Sequence, residues 1–232
     1  MKKTKNDDSS AKPAPGPMYA LSGIARMGSV TPPPSEPGQP RPIVVVSGLP
    51  RSGTSMAMRM LDAGGMEIVT DGIRAADESN PKGYYEDERV KTLDKGADTS
   101  WLDGVRGKAV KIISFLLRDL PETHTYKVIF LHRNMAEVLA SQRKMLQARG
   151  APPDAIPDER MARGYREHLD TVKRLLAQRP CFEVLDLDYR DVVARPLEQA
   201  TRIAQFVGGG LDVSQMASAV DEALYRQRGT SH

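Results

Sequence analysis

The chain has 232 residues, of which 40% are hydrophobic and 27% are charged, enough to bury one α/β core of ordinary domain size. The formal net charge of +3 is spread through a mixed surface without a polybasic block, so the composition gives no separate case for a nucleic-acid-binding protein. No apolar run is long enough to span a bilayer, and the single cysteine, Cys181, excludes an internal disulfide.

Residues 1–41 are predicted to form a disordered, proline-rich N-terminal tail. The segment Thr31–Pro40 contains five prolines, and the tail has too few large apolar side chains to repay the entropy of ordering. No apolar segment follows the basic start Met1-Lys-Lys as a secretory signal requires, so we expect a soluble, cytoplasmic protein. Residues 42–232 are then expected to form one domain.

The domain begins with a buried β-branched strand, Ile43–Val46, which leads into a tight loop and a helix N-terminus. Gly48 and Gly53 supply a permissive backbone, and Thr54 begins a helix whose first amide groups have no intrahelical acceptor. An ordinary turn would need neither an arginine nor a cluster of hydroxyl groups. We therefore predict an anion site. Its candidate ligands are Pro50, Arg51, Ser52, Gly53, Thr54 and Ser55.

This loop departs from the nucleotide-triphosphate P-loop, G-x-x-x-x-G-K-[ST], because Thr54 stands where the lysine should be. The substitution argues against ordinary ATP or GTP hydrolysis, and the positive charge lies instead on Arg51. The run Leu-Pro-Arg-Ser-Gly-Thr-Ser at 49–55 resembles the 5′-phosphosulfate loop of sulfotransferases that use 3′-phosphoadenosine 5′-phosphosulfate (PAPS). The resemblance implies PAPS as co-substrate, with Arg51 at the leaving-group end.

Two carboxylates are candidates for the general base. The resemblance implies a base at or shortly after the second strand, predicted at Met66–Thr70, and Asp71 is the best positional match. A plain Asp-Gly turn is the alternative interpretation of Asp71. Glu86 competes with it, because Asn80–Glu86 resembles an acceptor-cleft segment of some carbohydrate and lipid sulfotransferases. We favour Asp71 slightly over Glu86.

Two further strands are predicted at Lys108–Ile113 and Tyr126–Leu131. A helical pattern follows the strand Tyr126–Leu131 and extends to about Arg149. Arg133 at the strand end and Ser141 eight residues later resemble the 3′-phosphate element of the sulfotransferases. Arg133 is expected at the carboxyl end of a parallel strand, where ligands of open α/β sheets bind, and Ser141 about two helical turns on.

The C-terminal half continues with an amphipathic helix, Asp158–Gln178, that is predicted to cover the sheet, and a fifth strand, Phe182–Leu187. Leu187–Pro196 and the helix to Gly208 resemble the sulfotransferase pattern Tyr-Glu-Asp-Leu followed by a proline-started helix, and we expect a structural role for them. Arg228 is a weak match to an Arg-Lys-Gly element that closes over the 3′-phosphate.

The expected fold is α/β, a three-layer P-loop-type fold with a central parallel sheet of about five strands flanked by helices. The expected function is transfer of a sulfuryl group from PAPS to a hydroxyl or amine of a small-molecule, carbohydrate, lipid or peptide acceptor. The four histidines are scattered and show no zinc-site spacing, and the family chemistry requires no metal. A P-loop nucleotide or small-molecule kinase and a non-catalytic nucleotide-binding protein are the alternatives. The sequence leaves the oligomeric state open.

Overall fold

Strand β1, Ile43–Gly48, lies at the centre of a parallel sheet, and all six of its residues are buried. The computed structural model describes residues 40–72, 85–148, 150 and 157–221. Within these ranges the sheet has five strands in the order β2-β3-β1-β4-β5. The other strands are β2 Ile68–Val69, β3 Ala109–Lys111, β4 Tyr126–His132 and β5 Phe182–Asp188. The parallel α/β sheet predicted from the sequence is therefore confirmed.

The strands differ from the predicted segments only at their ends. Strand β2 is shorter than Met66–Thr70, and β3 ends at Lys111 because the chain turns into a 3-10 helix at Ser114. Strand β1 pairs with β3 on one side and β4 on the other, so it has no free edge and both of its faces are covered. This position explains its continuous run of β-branched residues.

Helices cover the sheet on both faces. The α-helices within the described ranges are α1 Thr54–Ala63, α2 Met135–Ala148, α3 Asp158–Gln178, α4 Tyr189–Ala194, α5 Pro196–Val207 and α6 Val213–Ser218. Shorter 3-10 helices lie at Glu88–Lys95, Ser100–Val105 and Ser114–Asp119. Helix α3 has the bounds predicted from its periodicity. Among the described residues, no helix combines the length and apolar character needed to cross a membrane.

Two apolar cores, one on each face of the sheet, make the three layers. Val44 and Val46 of β1 pack with residues of α1, α4, α5 and α6. Ile43 and Val45 point to the opposite face, where they pack with α3 and the 3-10 helices. Because side chains alternate along β1, this one strand contributes residues to both cores. The expected three-layer architecture is confirmed.

The segment after β5 has the structural role predicted for it. Pro196 is the first residue of α5, where its missing amide hydrogen costs no helical hydrogen bond. Gly208 ends the helix with φ of 112°, a conformation that favours glycine. Lys127 Nζ of β4 donates a 2.6 Å hydrogen bond to the carbonyl oxygen of Phe206 and so ties the helix C-terminus to the sheet.

The strand order places a crevice between the carboxyl ends of β1 and β4. After β1 the chain passes through α1 to β2 on one side of the sheet, whereas after β4 it passes through α2 and α3 to β5 on the other side. Neighbouring strands whose connections leave in opposite directions form the usual ligand site of an open α/β sheet. The loop after β1 and the residues after β4 both lie at this point.

Candidate active site

The loop after β1 adopts a backbone that only glycine accommodates at two positions. Gly48 and Gly53 have φ of 147° and 107°. A Cβ on Gly48 would lie 2.5 Å from Ser52 Oγ, and one on Gly53 would lie 2.4 Å from the ring of Tyr189. Arg51 also has positive φ, 71°, which is uncommon for a residue with a side chain. The loop is thus a tight, strained turn packed directly on its neighbours.

Arg51 joins the two elements that the sequence predicted separately. Its Nε donates a 3.0 Å hydrogen bond to Ser141 Oγ on α2. Arg133 Nη1, from the residue after β4, donates a 3.1 Å hydrogen bond to the backbone carbonyl oxygen of Arg51. Three of the predicted anion ligands therefore meet at the crevice, although 90 residues separate Arg51 from Ser141.

Arg133 is fixed on two sides. Its side chain is 7% exposed, and its Nε donates a 3.0 Å hydrogen bond to Oε2 of Glu137, one helical turn further along α2. Its guanidinium carbon lies 4.3 Å from the ring centroid of Tyr189. A guanidinium over an aromatic face is attracted by the negative charge above the ring, so Tyr189 supports both Arg133 and Gly53.

Sequence reasoning missed two members of this cluster, Glu137 and Arg190. Glu137 is only 1% exposed, and its Oε1 accepts a 2.7 Å hydrogen bond from Arg190 Nη2. A carboxylate four residues after Arg133 was a readable signal for the first ion pair. For Arg190 the signal was the departure of Tyr189-Arg190-Asp191 from the Tyr-Glu-Asp pattern.

The hydroxyl groups of the loop suit a phosphate-type ligand. Ser52 is 1% exposed and Thr54 is 9% exposed. Ser52 Oγ is buried and has no hydrogen-bond partner among the residues that the structure describes. A buried hydroxyl without a partner is costly, and an anion's oxygen atom would satisfy it. Gly53, Thr54 and Ser55 form the N-terminus of α1, which supplies amide donors and a positive dipole end, and Pro50 lies in the preceding turn.

The two candidate bases lie on chain segments that are bonded to each other. The backbone amide of Asp71 donates a 3.1 Å hydrogen bond to the carbonyl oxygen of Glu86. The carboxylate of Asp71 accepts a 2.7 Å hydrogen bond from the amide of Glu88, which begins a 3-10 helix. Asp71 therefore has a structural partner at this position, and it holds Glu86 beside the end of β2.

The carboxylate of Glu86 faces the end of β3. Its Oε1 lies 3.4 Å from Nζ of Lys111, the last residue of that strand, and the two side chains are 22% and 7% exposed. A buried lysine at the carboxyl edge of a parallel sheet needs such a counter-charge. Glu86 and Lys111 thus place one acidic and one basic group on the β3 side of the loop.

Two other groups that could react, His132 and Cys181, lie away from this centre, and two of the predicted segments lie outside the described residues. His132, at the end of β4, has its Nε2 2.6 Å from Oδ1 of Asp186 on β5, which gives it a structural partner. Cys181 is buried, and burial raises the pKa of its thiol, which disfavours the nucleophilic thiolate form. Arg228 and residues 80–84 of the acceptor-cleft segment lie outside the described residues.

Comparison with known proteins agrees with this geometry. A model of the sulfotransferase family matches residues 108–212, from the start of β3 to the start of α6. The matched region contains Arg133 and Ser141, whereas the loop after β1 precedes it. No match was found among curated proteins.

The fold is shared with a solved sulfotransferase structure. Sulfotransferase STF1 from Mycobacterium tuberculosis H37Rv is 16% identical, with a TM-score of 0.53 over 81% of this chain and 74% of that one. Sulfotransferase STF9 from Mycobacterium avium is 14% identical, with a TM-score of 0.49 over 82% of this chain and 69% of that one. An identity of 16% shows the fold alone, whereas the family model adds a similarity to the sulfotransferases over residues 108–212. The resemblance to the sulfotransferases that the motifs indicated is thus confirmed.

Proposed function

We propose that the protein transfers a sulfuryl group from PAPS to a hydroxyl or amine of an acceptor molecule. The observation that carries the proposal is the hydrogen bond from Arg51 Nε to Ser141 Oγ. It joins the loop expected to hold the 5′-phosphosulfate to the helix expected to hold the 3′-phosphate. One ligand with anionic groups at both ends would engage both elements, as PAPS would.

At the donor end, the chain's own groups neutralise negative charge and hold the donor in one orientation. Arg51, the loop hydroxyls and the N-terminal amides of α1 surround the position of the 5′-phosphate. As the bond to the sulfuryl group breaks, charge grows on the leaving phosphate, and fixed donors stabilise that charge without reorganising. Arg133 and Ser141 hold the other end, so the donor is aligned by contacts remote from the bond that breaks.

At the acceptor end, Glu86 is our choice for the base, with Asp71 as the alternative. Both side chains follow β2 in the chain, but Asp71 already caps the amide of Glu88, whereas Glu86 faces Lys111 at the sheet edge. Glu86 would accept the proton of the attacking hydroxyl or amine. Lys111 would offer its ammonium group to the sulfuryl oxygens during transfer.

The acceptor is defined by the group that receives the sulfuryl group. We propose a small molecule, carbohydrate, lipid or peptide that carries a hydroxyl or an amine. We also propose a cytoplasmic location, which a single, buried cysteine supports, because such a thiol needs no oxidising compartment.

The test is transfer of radiolabelled sulfur from PAPS to a library of hydroxyl and amine acceptors by the purified full-length chain. Arg51→Gln is expected to lower kcat/KM by about 100-fold or more, since it removes a donor to the leaving group. Arg174→Gln is the matched control, because Arg174 lies exposed on α3 and donates a 3.2 Å hydrogen bond to Thr171 of the same helix. It should leave kcat/KM unchanged.

Two results would overturn the proposal. One is failure of the wild-type chain to bind 3′-phosphoadenosine 5′-phosphate, the desulfated donor. The other is magnesium-dependent ATP consumption that is lost in Thr54→Ala and kept in Arg51→Gln, which would indicate a kinase.

The choice of base is tested in the same assay. Glu86→Gln is expected to lower kcat by about 100-fold or more while leaving the affinity for the desulfated donor unchanged. Asp71→Asn should lower kcat less. The reverse order of the two effects would assign the base to Asp71.

A further inference from the structure

Arg190 is held against the same buried carboxylate that holds Arg133. Glu137 Oε1 accepts hydrogen bonds from Arg190 Nη2 at 2.7 Å and from Arg190 Nε at 3.2 Å. Glu137 Oε2 accepts from Arg133 Nε at 3.0 Å. One carboxylate that is 1% exposed therefore fixes two guanidinium groups.

The position of Arg190 is set by the pairing of β4 with β5. His132 pairs with Asp188 at the ends of these two strands, so Arg133 lies one residue and Arg190 two residues beyond the paired positions. The carboxylate of Asp188 accepts a 2.8 Å hydrogen bond from the amide of Arg190 and fixes its backbone at the start of α4. The neighbouring strands thus deliver both arginines to one edge of the sheet.

The linked side chains bring three guanidinium groups together. Arg51, Arg133 and Arg190 belong to one hydrogen-bonded group with Glu137 at the carboxyl edge of the sheet. A phosphate monoester carries a charge of about −1.5 to −2 at neutral pH and accepts charge-assisted hydrogen bonds from guanidinium groups. The side chain of Arg190 is 40% exposed, so it is accessible to such a ligand, whereas Arg133 is nearly buried.

We propose that Arg190 is a second guanidinium for the 3′-phosphate of the donor, beside Arg133 and Ser141. The assignment rests on the proposed function, because it takes PAPS as the donor. Arg51 and the loop lie on the 5′ side of the ligand, so Arg190 contributes to the affinity for nucleotides that carry a 3′-phosphate and not for those that lack one. Glu137 is the positioning residue that holds both arginines in place.

Binding of two nucleotides to the full-length chain tests the assignment. Calorimetry would give the Kd of 3′-phosphoadenosine 5′-phosphate and of adenosine 5′-phosphate, which differ only in the 3′-phosphate. Arg190→Gln is expected to weaken binding of the first by roughly tenfold or more, the effect of one lost charge-assisted hydrogen bond. Its affinity for adenosine 5′-phosphate should stay within about twofold of the wild-type value.

Two control variants accompany the test. Arg195→Gln removes an arginine that follows the same short helix and pairs with Asp191 and Glu198 on the surface, and it should change neither Kd. Arg190→Lys keeps a positive charge without the fork of donors, and its preference for the 3′-phosphorylated nucleotide should lie between those of the wild type and Arg190→Gln. If the glutamine variant fails to fold, a preference in Arg190→Lys that is lower than the wild-type preference supports the assignment by itself.

The outcomes separate this assignment from the proposed function. If the wild type binds neither nucleotide, the proposed donor is wrong, and the role of Arg190 is wrong with it. If the wild type prefers the 3′-phosphorylated nucleotide and both Arg190 variants keep that preference, only the role of Arg190 is wrong. An equal loss of affinity for both nucleotides would likewise overturn it, because it would indicate a general structural effect.

Discussion

At the scale of single residues, the site depends on backbone conformations that side chains disfavour. Arg51 has φ of 71°, a conformation that costs an ordinary residue of order 1 kcal/mol or more. The surrounding contacts maintain it, since the carbonyl oxygen of Arg51 accepts from Arg133 and its side chain donates to Ser141. The strain thus lies at the residue that we propose presents charge to the donor.

Gly53→Ala tests the packing of the loop on Tyr189. A Cβ at this position would lie 2.4 Å from the ring, and φ of 107° adds backbone strain. We expect the free energy of unfolding to fall by roughly 2 to 4 kcal/mol, with loss of nucleotide affinity. Urea denaturation and calorimetry measure the two effects.

The matched control is Gly65→Ala. Gly65 has a similar φ, 90°, but a Cβ there would meet no atom within 4 Å. This variant should show only the backbone strain, about 1 to 2 kcal/mol, with unchanged nucleotide affinity. Equal losses in the two variants would show that contact with Tyr189 contributes nothing.

At the scale of elements, α3 docks on the 3-10 helix after β3 through an aromatic contact. The rings of Phe115 and His168 are stacked, with centroids 3.7 Å apart and planes inclined by 5°. His168 Nε2 lies 2.9 Å from Ser114 Oγ. Burial, and secondarily the charge of Arg118, lowers the pKa of His168, so the folded protein favours the neutral imidazole.

This lowered pKa predicts a loss of stability on acidification. In the unfolded chain the imidazole binds a proton near pH 6.5, whereas the folded chain binds it only at lower pH. The contribution of His168 is therefore intact above about pH 6.5 and is lost as the pH falls through the lowered pKa of the folded state. His168→Gln removes this titration.

Urea denaturation at a series of pH values between 7.5 and roughly 5 measures the effect. The wild type should lose more free energy of unfolding over this range than His168→Gln does. Parallel curves for the two proteins would contradict a lowered pKa at His168, because every other titrating group is common to both.

At the scale of the whole molecule, the strand order β2-β3-β1-β4-β5 collects the chemistry at one edge. The candidate groups lie at the carboxyl ends of four parallel strands. They are the loop after β1, Lys111 at the end of β3, Arg133 after β4 and Arg190 after β5. Both cores are built from residues between Ile43 and Met216. The described core residues therefore all lie at or after β1.

A chain that begins at residue 40 tests the predicted boundary between tail and domain. We expect its Tm to stay within about 2 °C of the full-length value, because it keeps both cores. A chain that ends at residue 211 is the contrast, since it loses α6 and the fully buried Met216. Its Tm should fall by about 8 °C or more. A large loss on removing residues 1–39 would place that segment within the domain.

The sequence by itself determined the strands, the longer helices and the anion loop. Apolar periodicity and turn chemistry are local properties, so β1, α3 with its full bounds, and the proline and glycine that delimit α5 could be predicted from neighbouring residues alone. Arg51, Arg133 and Ser141 were predicted from motif spacing, and the structure shows that they meet. These motifs are short enough to be complete within one strand-to-helix connection.

Only the tertiary structure decided which charged side chains, far apart in the sequence, form ion pairs with each other. Glu137 and Arg190 are 53 residues apart, and they meet because β4 and β5 are neighbours in the sheet. Glu86 reaches Lys111 because its carbonyl oxygen accepts a hydrogen bond from the amide of Asp71, which follows β2, and β2 pairs with β3. Strand order depends on the packing of the whole core, which no single segment encodes. The sequence of the loop therefore predicted an anion site, whereas the fold determined which arginines and carboxylates lie near the loop.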